Sequence, residues 1–250
     1  MHRCICVPAI LIILTLPLQA RASDRASGTA NIRSVISGVI TAYGGEKALN
    51  ALSSLYEEGH IDAFAFGDQG TYRLYFKRPK KLLVDIHYSR SQEIRILNGD
   101  RGYYGTGRVQ PYEVHGFRYL AILYEYKSQD IPYSLFKGAY KVTYEGRDEV
   151  EGVQTVVLGL TGREGPPMKV YVDTTTFLIR KISGLFHIGG TATALASEFS
   201  DFRKTGGTVL PYRFINYAGG EKIAETVIRE YRINAQMDNS LFNPATCGRR

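Results

Sequence analysis

Residues 70–104 decide the fold; they read GTYRLYFKRPKKLLVDIHYSRSQEIRILNGDRGYY. Apolar and polar residues alternate along this stretch, and successive side chains of a β-strand point to opposite faces of the sheet. The first strand therefore directs one set of side chains to one face: Tyr72, Leu74, Phe76 and Arg78. The other face receives Arg73, Tyr75 and Lys77. This alternation predicts a sheet with one apolar face.

The same rhythm continues on the two strands that follow Pro79. We predict that one face collects the apolar residues of all three strands and lines a hydrophobic cleft: Leu74, Phe76, Leu82, Val84, Ile86, Ile94 and Ile96. The alternative is that each of these residues is ordinary core and contacts no ligand. Both interpretations remain open at this point.

The first 22 residues have the composition of a secretory signal. A basic start precedes an apolar run from Ile5 to Leu18, and small residues follow at Ala20 and Ala22. The run is shorter than the roughly 20 residues that span a bilayer as a helix, and it contains two prolines. We therefore predict a signal peptide over residues 1–22, cleavage after Ala22, and export to the periplasm as one domain over residues 23–250.

Charge and cysteine content narrow the class of protein further. The formal net charge is +7, and removal of residues 1–22 would take away Arg3 and Arg21. The exported chain would keep Cys247 as its single cysteine, which permits neither an internal disulfide nor a thiolate metal cluster. The basic excess is mild and is typical of a soluble protein.

Helices and strands are predicted in a definite order. Helical spacing of apolar residues predicts helices over about 31–43 and 46–52. Five strands then follow over 54–104, and seven more over 139–234, with connections short enough to require antiparallel neighbours. The fold class is therefore mainly β: a curved antiparallel sheet of about 11 or 12 strands that forms an unclosed barrel.

A helical segment is predicted between the two groups of strands. Helical spacing predicts a helix over about 112–127 and a further turn over 132–137. The apolar residues on its underside would cover the cleft as a lid: Phe117, Leu120, Ala121 and Tyr124. The two N-terminal helices, over about 31–43 and 46–52, either pack on the sheet as core or close the open end of the curved sheet.

The order of these parts resembles the LolA-like family of periplasmic lipoprotein carriers and the wider group of outer-membrane lipoprotein-sorting proteins. The matching pieces are spread over most of the chain: residues 70–79, ending YFKRP; residues 96–104, ILNGDRGYY; residues 173–176, DTTT; and residues 238–244, DNSLFNP. The resemblance implies an unclosed barrel covered by helices. It also implies that Arg78, which matches the arginine of the family's Lys-Arg-Pro segment, helps to hold the lid closed.

The position of Arg78 has two interpretations. Strand alternation places it on the same face as Leu74 and Phe76, where an unpaired charge would cost several kcal/mol of folding free energy. It therefore either has partners inside the protein or lies at the rim of the sheet and reaches water.

Signatures of catalysis and of metal or nucleotide binding are not found in the sequence. The histidines are far apart, and no Gly-x-Ser-x-Gly elbow or P-loop occurs. Glu57 and Glu58 are adjacent in a strand, so they point to opposite faces and are interpreted as solvated edge residues. Lys77–Lys81 superficially suggests nucleic acid, but export argues against it. We predict no cofactor, no metal and no nucleic acid, and a protein that is not an enzyme.

The sequence favours a carrier that shields acyl chains between membranes. Its expected partners are an acylated lipoprotein or lipid, an inner-membrane donor and an outer-membrane acceptor, and it is expected to be a monomer. The chain is longer than a typical carrier and its lid is rich in tyrosine, so a free lipid is an equally good cargo. The alternative is a lipid-sensing regulatory module of the same fold, which would bind a protein partner.

Overall fold

The computed structural model describes residues 32–107 and 109–246. The predicted signal peptide over residues 1–22 and the predicted lone thiol of Cys247 lie outside the described residues. Both stay predictions.

Three helices occur in the described part of the chain. Helix α1 covers residues 32–42, α2 covers Gly45–Ala51 and α3 covers Gly116–Phe136. The break between α1 and α2 depends on Gly44, whose φ of 99° lies in the left-handed region that glycine adopts without strain. A side chain there would also collide with the carbonyl oxygen of Gly207, 2.2 Å from an ideal Cβ position.

Thirteen strands form one sheet. Their bounds are β1 Ser54–Ala63, β2 Asp68–Lys77, β3 Lys81–Tyr88, β4 Gln92–Asn98, β5 Arg101–Thr106, β6 Tyr112–Val114, β7 Lys141–Val150, β8 Val153–Thr161, β9 Met168–Asp173, β10 Ile179–Ile188, β11 Thr191–Thr205, β12 Thr208–Ala218 and β13 Glu221–Ile233. A short 3-10 turn, Asn239–Phe242, follows β13.

The sheet is antiparallel and open. Its order is β6-β5-β4-β3-β2-β1-β13-β12-β11-β10-β9-β8-β7, so β1 pairs with β13 and joins the two halves, while β6 and β7 lie at opposite edges. Every other pair consists of strands that are consecutive in sequence, which agrees with the short connections. The predicted mainly β, unclosed architecture is confirmed.

The segment between the two halves differs from the prediction in two ways. Tyr112–Val114 forms the additional short strand β6, paired with β5, where the sequence predicted the start of a helix. Helix α3 then continues through Pro132 to Phe136 instead of ending near residue 127. Proline removes one intrahelical hydrogen bond, and packing of the buried Ile131 and Leu135 on the sheet outweighs that loss.

The core has two sides. We call the face of the sheet that α3 covers the inner face; two apolar clusters lie there, one around Leu74, Phe76 and Leu82 and one around Leu158 and Val170. The other, outer face carries a third cluster beneath the segment that follows β13. The members of the outer cluster are Tyr56, Leu83, Ile94, Ile96, Tyr103, Met237 and Phe242.

Candidate functional site: an apolar cavity beneath the lid helix

A cavity of about 80 Å³ lies where α2 and α3 meet the inner face of the sheet. Its walls are predominantly apolar, and the main contributors from the helices and strands are Leu49, Leu55, Phe76, Phe199, Leu210 and Phe214. Pro132 and Tyr133 of α3 form part of the cover, and Arg78 lies at its edge.

The size of this cavity limits what it holds in the structure described. An apolar cavity of about 150 Å³ suffices for a benzene molecule, so 80 Å³ accommodates only a short piece of an acyl chain. A longer ligand therefore requires that α3 move away from the sheet.

Arg78 ties both helices to the sheet. It follows β2 directly, and its Nε donates to Asp130 Oδ1 of α3 at 2.5 Å. Its Nη1 donates to the carbonyl oxygens of Leu49, at 3.3 Å, and of Leu52, at the C-terminal end of α2. The guanidinium also stacks 3.6 Å from the centre of the Tyr133 ring. One side chain thus contacts the ends of β2 and α2 and the last turns of α3.

These contacts are largely shielded from water. The side chains of Arg78 and Asp130 are 14% and 11% exposed. Ser134 donates to Asp130 Oδ2 at 2.6 Å, and burial raises the pKa of the Asp130 carboxyl although Arg78 and Ser134 act against that rise. Of the two interpretations of Arg78, the geometry corresponds to the one with partners inside the protein.

A second arginine, Arg95 on β4, holds the middle of α3. Its Nε and Nη2 donate to the two oxygens of Glu125 at 2.8 and 2.7 Å, and Nη1 pairs with Glu93. Such a two-bonded arginine–carboxylate pair fixes orientation as well as distance. The sequence reasoning did not single out Arg95, because it assigned the apolar residues of β4 to the inner face.

Ile94 and Ile96 lie on the outer face, not with the other predicted cleft residues. In the pairing of β3 with β4, Ile94 is opposite Asp85 and Ile96 opposite Leu83, so both contribute to the outer cluster. Arg95, opposite Val84, is the residue that points inward. A shift of one residue in register exchanges the faces of a whole strand, which is the physical reason for the difference.

The other predicted cleft residues do lie on the inner face. Phe76 lines the cavity. The remaining four are buried in the first inner cluster, where the α3 residues Ile122, Leu123 and Tyr126 also lie: Leu74, Leu82, Val84 and Ile86. In the structure described these four are therefore core, and their contact with a ligand stays a prediction.

This chain is similar to known proteins in structure but not in sequence. No protein-family model matches the chain, and no curated protein matches it in sequence. A DUF1329 family protein from Desulfovibrio piger matches with a TM-score of 0.56 and 13% identity, over 84% of this chain and 96% of that one. A LolA superfamily protein from Nitrosomonas europaea matches with a TM-score of 0.55 and 14% identity, over 84% and 96%.

A third structure is a putative outer membrane lipoprotein-sorting protein domain from Vibrio parahaemolyticus. It matches with a TM-score of 0.50 and 9% identity, over 79% of this chain and 92% of that one. The chain has a LolA-like fold. Identities this low establish the fold alone, since function depends on the site that a fold carries.

The predicted lid residues of this LolA-like fold lie on α3 as expected, but they face different surroundings. Tyr124 donates to the carbonyl oxygen of Ile182 at 3.1 Å and packs edge-on against Phe186, as Phe117 does. Leu120 packs on the same cluster, and Ala121 is half-buried. All four precede the part of α3 that lines the cavity.

The α3 residues at the cavity come one to two turns later. They are Ser128, Gln129, Pro132 and Tyr133. The sequence analysis did not assign them to the lid, because it ended the helix near residue 127 and predicted only a separate turn over 132–137. The spacing of Ile131 and Leu135, both buried, is the signal that would have extended it.

Glu57 on β1 is a buried acid on the inner face of the sheet. It is 1% exposed, and it pairs with Leu74 of β2 and Tyr231 of β13, both of the first inner cluster. Its neighbour Glu58 points outward and accepts from Arg73 at 3.2 Å. The predicted opposite faces are thus correct, whereas the predicted solvation fails for Glu57.

The electrostatics of Glu57 are unusual. Burial, with a smaller contribution from nearby Glu125, raises its pKa from 4.5 to about 8. Among the residues the structure describes, Glu57 Oε2 is the buried side-chain oxygen that has no hydrogen-bond partner. This raised pKa favours the protonated, neutral carboxyl at neutral pH.

Neither a cluster of metal ligands nor a membrane-spanning helix occurs in the part of the chain that the structure describes. No cluster of three or more histidine, cysteine, aspartate or glutamate residues suited to a metal ion occurs within residues 32–107 and 109–246. Over the same ranges, no helix has the length and hydropathy needed to cross a membrane.

Proposed function

We propose that this protein is a periplasmic carrier that binds acyl chains of a lipid or lipoprotein beneath α3 and transfers them between membranes. One observation carries the proposal: an apolar cavity on the inner face is closed by α2 and α3, and Arg78 ties both helices to the sheet. The LolA-like fold supports it, because one structure with this fold is described as lipoprotein-sorting.

The binding energy would come from burial of the chain. Each methylene removed from water contributes about 0.8 kcal/mol, so a long acyl chain needs few polar contacts. The walls formed by Leu55, Phe76, Leu210 and Phe214 provide the apolar surface.

Entry of a whole chain would use the residues that α3 now covers. As α3 moves off the sheet, Leu74, Leu82, Val84 and Ile86 lose their contact with the helix and become available to the ligand. Phe117, Leu120, Ala121 and Tyr124 move with α3 as its underside. The cavity in the closed form is thus the starting point of a longer cleft.

The partners follow from this role. Cargo would be received from an inner-membrane donor and delivered to an outer-membrane acceptor, with the protein acting as a monomer. The predicted signal peptide over residues 1–22 accounts for its presence in the compartment between them.

The first test is native mass spectrometry of the protein purified from periplasm without detergent, followed by solvent extraction. We expect a stoichiometric acylated species. Leu210→Phe, which fills the cavity, should reduce its occupancy at least fivefold. Leu185→Phe is the matched control, because Leu185 is an exposed leucine on β10 that does not line the cavity.

A different pattern would reject the carrier role. A protein that contains no acylated species and takes up none from mixed phospholipid vesicles contradicts it. Equal occupancy in the wild type and Leu210→Phe would place any bound lipid elsewhere.

A further inference from the structure

The inner face contains one polar group that the carrier role does not use. Glu57 Oε2 is buried and has no partner among the described residues. An unsatisfied buried polar atom destabilises a fold, and a leucine at this position would avoid that loss. An acid at this position is therefore accounted for by a partner that the described residues do not supply.

Glu57 continues the wall of the cavity. Leu55 of the same strand lines the cavity, and Glu57, two residues further along, has its side chain on the same face. The neighbouring strands contribute Leu74 and Tyr231 at this level. A chain that outgrows the 80 Å³ cavity and runs along β1 reaches Glu57 next.

The neighbours of Glu57 do not satisfy it. Two cations, Arg78 and Arg95, lie on the inner face near this level, but Arg78 is engaged by Asp130 and Arg95 by Glu93 and Glu125. Glu125, on the α3 side, is itself acidic and disfavours the charged form of Glu57. The hydroxyl groups of Tyr72 and Tyr231 are also close enough to interact electrostatically with Glu57.

We propose that Glu57 is a ligand-recognition residue that donates a hydrogen bond to an oxygen atom carried partway along the acyl chain of the cargo. The proposal rests on the proposed function and deepens it. It assigns the cargo to oxygen-bearing chains, such as oxo- or hydroxyacyl chains, instead of plain saturated ones.

A neutral carboxyl suits this role. It carries a proton for donation at neutral pH, consistent with its raised pKa of about 8, and it avoids the desolvation of a charge when an apolar chain surrounds it. A site that hydrogen-bonds a ligand oxygen also rejects chains without one, because those chains leave its polar group unpaired.

The test compares plain octadecanoic acid with a series of oxooctadecanoic acids that differ only in the position of the oxo carbon. Each competes with a fluorescent acyl probe for the protein at neutral pH. We expect at least one oxo isomer to bind about fivefold more tightly than the plain acid, the gain of one net hydrogen bond. An oxo oxygen only accepts hydrogen bonds, so the preference reports donation by the protein.

Three variants assign the preference to Glu57. Glu57→Leu should bind plain and oxo chains equally well, whereas Glu57→Gln should keep most of the preference because its amide still donates. Glu58→Leu is the matched control: it removes the adjacent acid, which faces outward, and should leave the preference unchanged.

The outcomes separate this inference from the carrier role. If plain and oxo chains bind the wild type equally well, the role of Glu57 is overturned and the carrier role stands. A preference that persists in Glu57→Leu would overturn the role of Glu57 as well. If neither chain binds, both proposals are overturned.

Discussion

Arg78 and Arg95 both reach from the inner face of the sheet to α3, but their surroundings differ. Arg78 borders an apolar cavity and makes single contacts with several elements: Asp130, the end of α2 and the Tyr133 ring. Arg95 forms a two-bonded pair with Glu125 and a second pair with Glu93, within a region that also contains the buried Glu57.

The two arginines therefore have different roles: Arg78 closes the cavity, and Arg95 supports the middle of α3. The contacts of Arg78 with Asp130 and Tyr133 must break if the last turns of α3 are to leave the cavity, and each is a single hydrogen bond or ring contact. The paired bonds of Arg95 fix the middle of α3 in orientation. We therefore expect opening to begin at Arg78 and to extend along α3 only when the pairs of Arg95 also break.

The largest expected effect comes from Arg78→Leu. Removal of the guanidinium leaves Asp130 as an uncompensated buried acid, so the free energy of unfolding should fall by about 3–5 kcal/mol. Hydrogen exchange followed by mass spectrometry should show faster exchange in residues 128–136 than in 116–125. Uniform acceleration over the whole of α3 would mean that Arg78 does not act on one end of the helix.

Glu57→Gln should change the pH dependence of stability. Between its ordinary pKa of 4.5 and its folded value of about 8, Glu57 binds a proton in the folded chain and releases it on unfolding. Rising pH therefore favours unfolding, and stability falls by about 1.4 kcal/mol per pH unit over that window. Stability that Glu57 contributes below 4.5 is lost as the pH rises through about 8.

Chemical denaturation across this window, with wild type and Glu57→Gln in parallel, measures the effect. The variant lacks the titrating group. The difference in free energy of unfolding between wild type and Glu57→Gln should therefore change by about 1.4 kcal/mol per pH unit over this window. Parallel curves would show that Glu57 is not protonated in the folded protein.

Arg95→Leu should have a smaller effect than Arg78→Leu. Its partners Glu93 and Glu125 are more exposed than Asp130, so water replaces part of what is lost, and we expect a decrease of about 2 kcal/mol. Exchange should accelerate around Glu125 in the middle of α3. A loss larger than that of Arg78→Leu would reverse the comparison.

Arg203→Leu gives the baseline for both variants. Arg203 is 57% exposed and pairs with Asp201 of the same strand, so its removal should leave the free energy of unfolding almost unchanged. Thermal and denaturant unfolding both measure this change. A larger loss would show that exposed pairs contribute substantially in this chain, and the effects of Arg78 and Arg95 would need rescaling.

Much of the fold could be predicted because alternation is a local property. The strands of the first half, and α1 and α2, begin and end within a few residues of their predicted limits. The face of β4 could not be predicted in the same way. Both sides of β4 are covered, by α3 and by the segment after β13, so apolar residues mark neither face as the inner one.

The candidate site was harder to predict than the fold. Arg78 was found through its place in the strand and through the family resemblance, but its partner Asp130 lies beyond the predicted end of the helix, in turns of α3 that contain Pro132. Glu57 was interpreted as solvated, since glutamate in a strand is normally exposed. Its burial depends on β13, the last strand in the sequence, which pairs with β1, the first.

The most direct test of the acyl-chain site is photo-crosslinking with an octadecanoic acid that carries a diazirine in its chain, with the adducts mapped by mass spectrometry. We expect adducts on peptides that contain Phe76, Phe214 and Tyr133, which surround the cavity. Adducts confined to the exposed Phe64 and Phe66, at the tip of the β1–β2 hairpin, would contradict a site beneath α3.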